Sequence, residues 1–390
     1  MPEVKPKIET FAKIRVVGVG GSGGNALHRM MEARIRGVEF IAVNTDAQAL
    51  HHSAAPHKIH IGQNLTRGLG AGMDPSVGQQ AAEEAREEIY EALKGSDMVF
   101  VTGGMGGGTC TGAAPVVAEI AKESGALTIG VVTKPFAFEG QQRRLIADEG
   151  LAELHERVDA AVIIPNDRLL QMIDRKTSLL DAFRVVDDVL RQGVQGISDL
   201  ITEHGMVNLD FADVRAVMTD AGTALMGIGR SSGENRAVEA ARAAIDSPLL
   251  DVSIDGAKGI LFNVSGGKDL GMYEVEEAAR IITEHADPSA KVIFGAVVDD
   301  QNDKEEIVIT VVATGFDSGK LEPLSRERAR VSVQPARPAQ TYGRTQPVAP
   351  APPVASRPVS PAPSGPRPDG GTAPQEDFDI PAFIRKKMKT

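Results

Sequence analysis

The hydrophobic pattern of this chain switches between two periods. Five short apolar stretches, Lys13 to Gly20, Val38 to Asn44, Met98 to Val101, Ala126 to Thr133 and Asp159 to Pro165, predict buried strands. Between them Ala26 to Arg36 and Ala113 to Lys122 read as helices, and Val77 to Leu93 as an amphipathic one. Strands that alternate with helices in this way predict an α/β fold, a parallel sheet covered on both faces. The longest helical signal follows, Thr177 to Glu203. Leu179, Phe183, Val186, Leu190, Val194, Ile197 and Ile201 recur every three or four residues along one stripe. Such a helix spans roughly 40 Å, enough to connect two domains. Beyond it Gly222 to Gly229, Gly259 to Ser265, Lys291 to Val298 and Glu306 to Thr314 read as strands. Asn235 to Ile245 and Tyr273 to His285 read as helices. This second part predicts a smaller mixed sheet with helices on one face, and no catalytic constellation is visible in it.

Two junctions in this pattern are unusually rich in glycine. Val99 to Pro115 reads V-F-V-T-G-G-M-G-G-G-T-C-T-G-A-A-P, and Gly18 to Asn25 reads G-V-G-G-S-G-G-N. Each lies between a strand and a helix, the arrangement that presents backbone N–H groups to an anion. Glycine lets those amides approach a phosphate closely, and Thr109 and Thr111 can add hydroxyl donors. The alternative for the longer stretch is a plain surface loop. A third glycine-rich segment, Thr66 to Met73, reads equally as a turn or as a ligand contact.

Gly18, Gly20 and Gly23 also fit a dinucleotide fingerprint, with Asp46 at the end of the next strand as a ribose acid. An NAD(P)-dependent oxidoreductase is therefore the rival reading. A dinucleotide fold needs one such turn, however, and this chain has two. No G-x-x-x-x-G-K-[ST] occurs either. Two glycine loops without an invading lysine suit a triphosphate whose charge is offset by amide dipoles, hydroxyls and Mg²⁺.

Charge sharpens the picture. The net charge is −11 over 390 residues. Residues 318–375 carry eight Lys/Arg against three Asp/Glu and residues 376–390 four against three, which leaves −17 on residues 1–317. So acidic a body argues against a general nucleic-acid binder. The single cysteine rules out an intrachain disulfide and favours a reducing compartment. Met1 to Lys13 has no apolar core of a secretory signal, and no apolar run approaches bilayer-spanning length, so a cytoplasmic protein is expected.

Further side chains suit a guanine nucleotide. Lys134 to Arg144 follows a strand's carboxyl end, where ligands of α/β sheets bind. There Glu139 can accept from ribose hydroxyls and Arg143 can reach ribose or phosphate, or the segment is a solvated charged turn. Asp187 lies one turn after Phe183 on nearly the same helix face. The ring can stack on guanine while the acid accepts from N1–H and the exocyclic amine. Alternatively, Phe183 is an ordinary core residue. Asn208 to Val214, N-L-D-F-A-D-V, opens another helix with Asp210 and Asp213 on one face near its start. Helix capping explains one of these acids. Both can polarise a water or hold a cation, yet they would repel a triphosphate held by the same chain.

Together G-G-M-G-G-G-T-C-T-G-A-A-P, G-V-G-G-S-G-G-N, V-T-K-P-F-x-F-E-G, I-P-N-D and N-L-D-F-A-D-V resemble the FtsZ family of bacterial division proteins, in the tubulin superfamily. The resemblance covers about residues 11–317 and returns in the last fifteen. It implies a tubulin-like α/β fold: a parallel-sheet, Rossmann-like GTPase domain (11–176) after a flexible extension (1–10), a long central helix (177–204), and a smaller α+β domain (205–317). A disordered linker (318–375) and a partner-binding peptide (376–390) follow. It implies a GTPase that polymerises head to tail, with Mg²⁺, in the cytoplasm at the mid-cell division site beneath the inner membrane. Carried over by position, Gly21, Ser22, Gly23, Gly24, Asn25, Gly106, Gly107, Gly108, Thr109, Cys110, Glu139, Arg143 and Asp187 hold nucleotide, with Asn166 and Phe183 near the base. Asp210, Asp213 and Asn208 activate water on the next subunit's GTP, which removes the repulsion. Metal ligands are not implied, and the second domain supplies the lower polymer interface. A non-hydrolysing scaffold is the third reading. Cys110 stands where the family's loop has glycine. It is expected in helical conformation, with a lowered pKa and ready alkylation.

Thirteen of the 23 prolines fall in residues 318–375. That segment predicts a disordered spacer of roughly 40–50 Å, or alternatively an SH3-type ligand. In E-D-F-D-I-P-A-F-I-R-K-K-M-K-T, Phe378, Ile380, Phe383 and Ile384 line one side of a short helix from about Pro381, with Arg385 to Lys387 at its end. Apolar anchors on a long tether predict docking in a partner's groove. The resemblance makes those partners membrane-tethering and regulatory division proteins, and a weak direct membrane contact through the basic end is the alternative.

Overall fold

The computed structural model describes residues 12–170, 173, 176–202, 210–247, 254–298 and 306–316. The expectations for the N-terminal extension, Asn208, the linker and the C-terminal peptide lie outside the described residues. In chain order the elements are β1 (Ile14–Val19), α1 (Gly20–Glu32), β2 (Val38–Asn44), α2 (Ala47–His52), β3 (His57–His60), α3 (Gln63–Thr66), α4 (Pro75–Glu84), α5 (Arg86–Leu93) and β4 (Met98–Gly104). Then come α6 (Gly108–Glu123), β5 (Leu127–Lys134), α7 (Gln141–Arg157), β6 (Ala160–Pro165), α8 (Asn166–Leu169), α9 (Leu179–Thr202) and α10 (Phe211–Met218). The last are β7 (Gly222–Ser232), α11 (Arg236–Ile245), β8 (Gly259–Gly266), α12 (Met272–Glu284), β9 (Lys291–Val298) and β10 (Glu306–Thr314).

These strands form one ten-stranded sheet in the order β3-β2-β1-β4-β5-β6-β7-β10-β8-β9. From β3 to β7 every pairing is parallel. β10 runs antiparallel to β7 and β8, and β9 is parallel to β8. The chain leaves β1 in one direction for β2 and β3, then returns to the other side of β1 for β4, β5 and β6. The carboxyl ends of β1 and β4 therefore flank a topological switch point, the place where an open α/β sheet binds ligands.

Both faces of the sheet are buried, as near-continuous apolar strands require. One cluster joins Leu27 and Met30 of α1, Leu190 and Val194 of α9, and Val214 and Met218 of α10 to the strands. The opposite cluster holds Ala81 and Ala82 of α4, Ile89 of α5, Val116 and Val117 of α6, and Leu151 of α7. In the second half α11 and α12 cover one face through Ala240, Ala241, Ala278 and Ile282. The expectation of helices on that face only is corrected here. Leu261 and Val312 turn the other way, into the cluster of α9 and α10, because alternate residues of β8 and β10 are apolar on both sides.

Three helix boundaries differ from the sequence reading. α1 and α6 start on the glycines themselves, six and five residues earlier than hydrophobic periodicity shows, since glycine carries no such signal. Val77 to Leu93 is two helices, not one. Asp74 caps α4, its side chain accepting from Ser76 N–H at 2.9 Å, and Ala85 (φ −101°, ψ 13°) breaks the run before α5. α4 then lies backbone to backbone on α6. A Cβ at Gly112 would stand 1.9 Å from the Pro75 oxygen, and one at Gly78 2.2 Å from the Gly108 oxygen.

Candidate active site

α1 and α6 both begin without a side-chain cap. No side chain occupies their first-turn N–H groups, so those not bonded to backbone are open to a ligand, with the positive ends of two helix dipoles beside them. One side chain ties the two cradles together, and further contacts tie the second to its neighbours. Ser22 Oγ accepts from Gly104 N–H at 2.7 Å, and Gly108 N–H donates to the Gly72 oxygen at 2.8 Å. Thr109 and Thr45 share a hydroxyl contact of 2.6 Å. The Thr111 hydroxyl points inward instead, accepting from Gly106 N–H at 2.8 Å, so it shapes the loop and does not face a ligand as expected.

Between the cradles opens a cleft of about 390 Å³. Of the residues expected to bind nucleotide, Gly21, Ser22, Asn25, Gly107, Gly108, Thr109, Cys110, Glu139, Arg143, Asn166, Phe183 and Asp187 line it together. Gly23, Gly24 and Gly106 are not among this lining. A Cβ on Gly23 would meet the Thr102 oxygen at 2.7 Å, so this glycine is where α1 closes on the sheet. Gly106 (φ +100°) makes the turn that a Cβ would strain. Gly72 also lines the cleft, which makes the Thr66 to Met73 segment part of the site. Thr133, Pro135, Met105, Val186 and Leu190 join it without having been singled out. Val186 and Leu190 share the stripe of Phe183 and were legible on that ground. The rest arrive by chain crossing, which sequence spacing does not show.

At the far wall the parts divide by chemistry. Glu139 accepts from Phe136 N–H at 3.0 Å and pairs with Arg143, one turn along, which fixes both heads at the cleft edge. The Phe183 ring is 39% exposed and meets Phe136 edge-to-face at 5.6 Å, with Phe138 stacked behind at 5.0 Å. It is a supported platform more than a core residue. Asn166 is buried, and its Oδ1 has no hydrogen-bond partner. Burial pushes the Asp187 carboxyl up to about 6, opposed by the Arg29 guanidinium on α1. A hydrogen-bond donor arriving here would satisfy both acceptors.

Cys110 has the helical conformation expected of it, but its expected reactivity is corrected. The thiol is 4% exposed, 4.0 Å from the Met105 sulfur, and burial pushes it up to about 12. Desolvation outweighs the helix dipole, because the side chain points into the core and not along the helix axis into the cleft.

Asp46, the acid of the dinucleotide reading, caps α2 and accepts from Gln48 and Ala49 N–H at 2.9 and 3.0 Å. Asp210 caps α10, accepting from Asp213 N–H at 2.9 Å, and both acids are exposed and outside the cleft. α9 descends from Phe183 and Asp187 in the cleft to Thr202, which packs on Gly37 just before β2 begins. At 1.5 Å per residue its 24 residues cover about 36 Å. The aspartates follow at that lower end, and α10 leads from them into β7 beside the amino end of β6.

Comparison with known proteins agrees with this geometry. The model of the Tubulin/FtsZ family GTPase domain matches residues 13–174, and that of the FtsZ family C-terminal domain matches residues 222–317. An empty FtsZ dimer from M. jannaschii is 48% identical, over 79% of this chain and 90% of that one, with a TM-score of 0.76. A point mutant of M. jannaschii FtsZ is also 48% identical, over 78% and 92%, with a TM-score of 0.76. A GDP-bound CetZ1 monomer from Haloferax volcanii, 23% identical over 78% and 95%, shares the fold with a TM-score of 0.69. Two glycine-rich helix starts at a switch point, the GTPase-domain model over the residues that form them, and 48% identity across 79% of this chain lead to one conclusion: the chain is a GTPase of the FtsZ family, in the tubulin superfamily.

Proposed function

We propose that this protein is a self-assembling GTPase of cell division, whose filaments build the cytokinetic ring and whose hydrolytic site is completed between subunits. The observation that carries this reading is the separation of parts. The cleft has cradles and a base wall, and among the described residues the carboxylates lining it are Glu139 and Asp187, while Asp210 and Asp213 stand exposed outside it. Stacking two copies head to tail brings one copy's aspartates to the other's nucleotide. Gly21 to Asn25 and Gly106 to Cys110 then hold phosphates, Glu139 and Arg143 the ribose and its neighbouring phosphate, and Phe183, Asn166 and Asp187 the guanine. Asp210 and Asp213 orient and deprotonate the attacking water, with Asn208 helping to orient it. Among the described residues no three His, Cys, Asp or Glu side chains gather as a metal site. Phosphate oxygens, water and hydroxyls such as Thr109 suit Mg²⁺, which usually keeps several waters, and it would offset charge on the β and γ phosphates.

Residues 11–176 and 205–317 serve as the two working parts around α9, residues 318–375 as a tether, and residues 376–390 as the peptide that docks on membrane-tethering and regulatory partners at mid-cell. Among the described residues no helix is long and apolar enough to cross a membrane. The deciding experiment is Asp213→Ala, which should bind GTP as the parent chain does and hydrolyse it at least about a hundredfold more slowly. Loss of GTP binding in that variant would overturn the assignment.

A further inference from the structure

α6 connects the phosphate cradle to the aspartate end of the molecule. It starts at Gly108 in the cleft and runs sixteen residues to Glu123, a length of about 24 Å. On its last turn Lys122 reaches Asp159 Oδ1 and Asp220 Oδ1, each at 3.2 Å. Asp159 is buried, and its other oxygen accepts from Thr128 N–H at 2.9 Å. Its backbone oxygen accepts from Gly222 N–H at 2.9 Å. Asp220 occupies the turn between α10 and β7 with φ +50°, a region that disfavours a residue with a Cβ. Lys122 therefore holds a strained turn from one side while Asp159 holds it from the other.

α10 itself is seated mainly by apolar contact, through buried Val214, Val217 and Met218, with one hydrogen bond from the Thr314 hydroxyl to the Val217 oxygen at 3.3 Å. Apolar packing resists tilting a helix away but is non-directional, so it distinguishes poorly between small slides along the axis. The ion pairs and the turn are directional and fix that coordinate. Asp210 caps the start of this eight-residue helix and Asp213 lies in its first turn, so a slide of the helix moves both. Lys122 is 41% and Asp220 78% exposed, so the pair adds little to global stability.

We propose that Lys122 is a positioning residue for the aspartates. By clamping Asp159 and Asp220 it sets where α10 presents Asp210 and Asp213 to the adjoining copy's nucleotide. The proposal rests on the shared-site reading above, and mixing variants tests the two separately. Lys122→Met keeps the aliphatic stem and removes the charge. It should bind GTP within about twofold of the parent and lower kcat on the order of tenfold, a part of the roughly hundredfold that misplacement by a full ångström can cost. Lys122→Arg should restore most of the rate, and Asp220→Asn should give the same split more weakly.

In a head-to-tail stack each junction uses the cleft of one copy and the aspartates of the next. Equimolar Asp187→Ala, with a damaged cleft, and Asp213→Ala, with a damaged aspartate face, should regain about a quarter of parental turnover, because one random junction in four is intact. Lys122→Met should likewise recover with Asp187→Ala and not with Asp213→Ala. Recovery with Asp213→Ala instead would place its effect in its own cleft and overturn the proposal alone. Recovery with neither, or an unchanged kcat, also overturns it. Failure of the Asp187→Ala and Asp213→Ala pair would overturn the shared site, and the role of Lys122 with it.

Discussion

If Asp187 reads the guanine as proposed, that recognition should depend on pH. In the folded, ligand-free chain its carboxyl titrates at about 6 instead of 3.8, because burial disfavours the charged form. Between those values the folded chain holds a proton that the unfolded chain has released, so this group's contribution to stability falls as pH rises through that window. Guanine offers donors and needs the carboxylate, so GTP affinity moves the opposite way. Titration calorimetry should find GTP binding about tenfold weaker at pH 5 than at pH 7, and nearly flat in Asp187→Asn. Equal pH slopes in both proteins would remove the acid from base recognition. Cys110 makes a second test at this scale. Iodoacetamide labelling should be negligible with or without GTP and should track unfolding in urea. Cys110→Ala should lower stability by about 1–2 kcal/mol through the lost packing against Met105. The site was legible where chemistry repeats at helical spacing, as with Phe183 and Asp187. The orientation of a single side chain, such as Cys110 or Thr111, is decided by packing and was not.

Among the elements, the contact of α4 with α6 decides how well the cradle is held. Gly112 and Gly78 let two backbones touch directly beneath the first turn of α6. Gly112→Ala should therefore cost about 2–3 kcal/mol in urea unfolding and weaken GTP binding as well, since the cradle shifts with the helix. A variant that loses stability but keeps full affinity would separate the two. Strand positions were read from sequence with good accuracy because buried parallel strands are continuous apolar runs. Helix starts were not, because the residues that begin α1 and α6 are glycines selected for close approach. The break at Ala85 was hidden for a related reason: two short helices on one face carry the same periodicity as one long one.

At the scale of the whole molecule, the second half was expected as a separate small sheet, yet β7 pairs with β6 and carries the first sheet on into β10, β8 and β9. Order along the sheet is a matter of long-range pairing, which local pattern does not encode. With a shared site, GTP turnover per molecule should rise with protein concentration, as read by phosphate release across a dilution series. Constant specific activity would sink that reading. Removing residues 376–390 should leave the rate unchanged while abolishing capture by a membrane tether, and a parallel loss of hydrolysis would contradict the division of labour.

The distance that α9 puts between cleft and acids has a numerical consequence for any open stack. If each site is completed by the next copy, as proposed, a row of n copies contains only n − 1 finished reaction chambers, so a lone chain has none and a pair has one for two nucleotides. On that reading the copy whose cleft faces solvent would keep its triphosphate intact until a newcomer lands on it. Arrival and reaction are thereby coupled: each addition starts the clock on the nucleotide it covers, while the newest one stays unreacted at the growing tip.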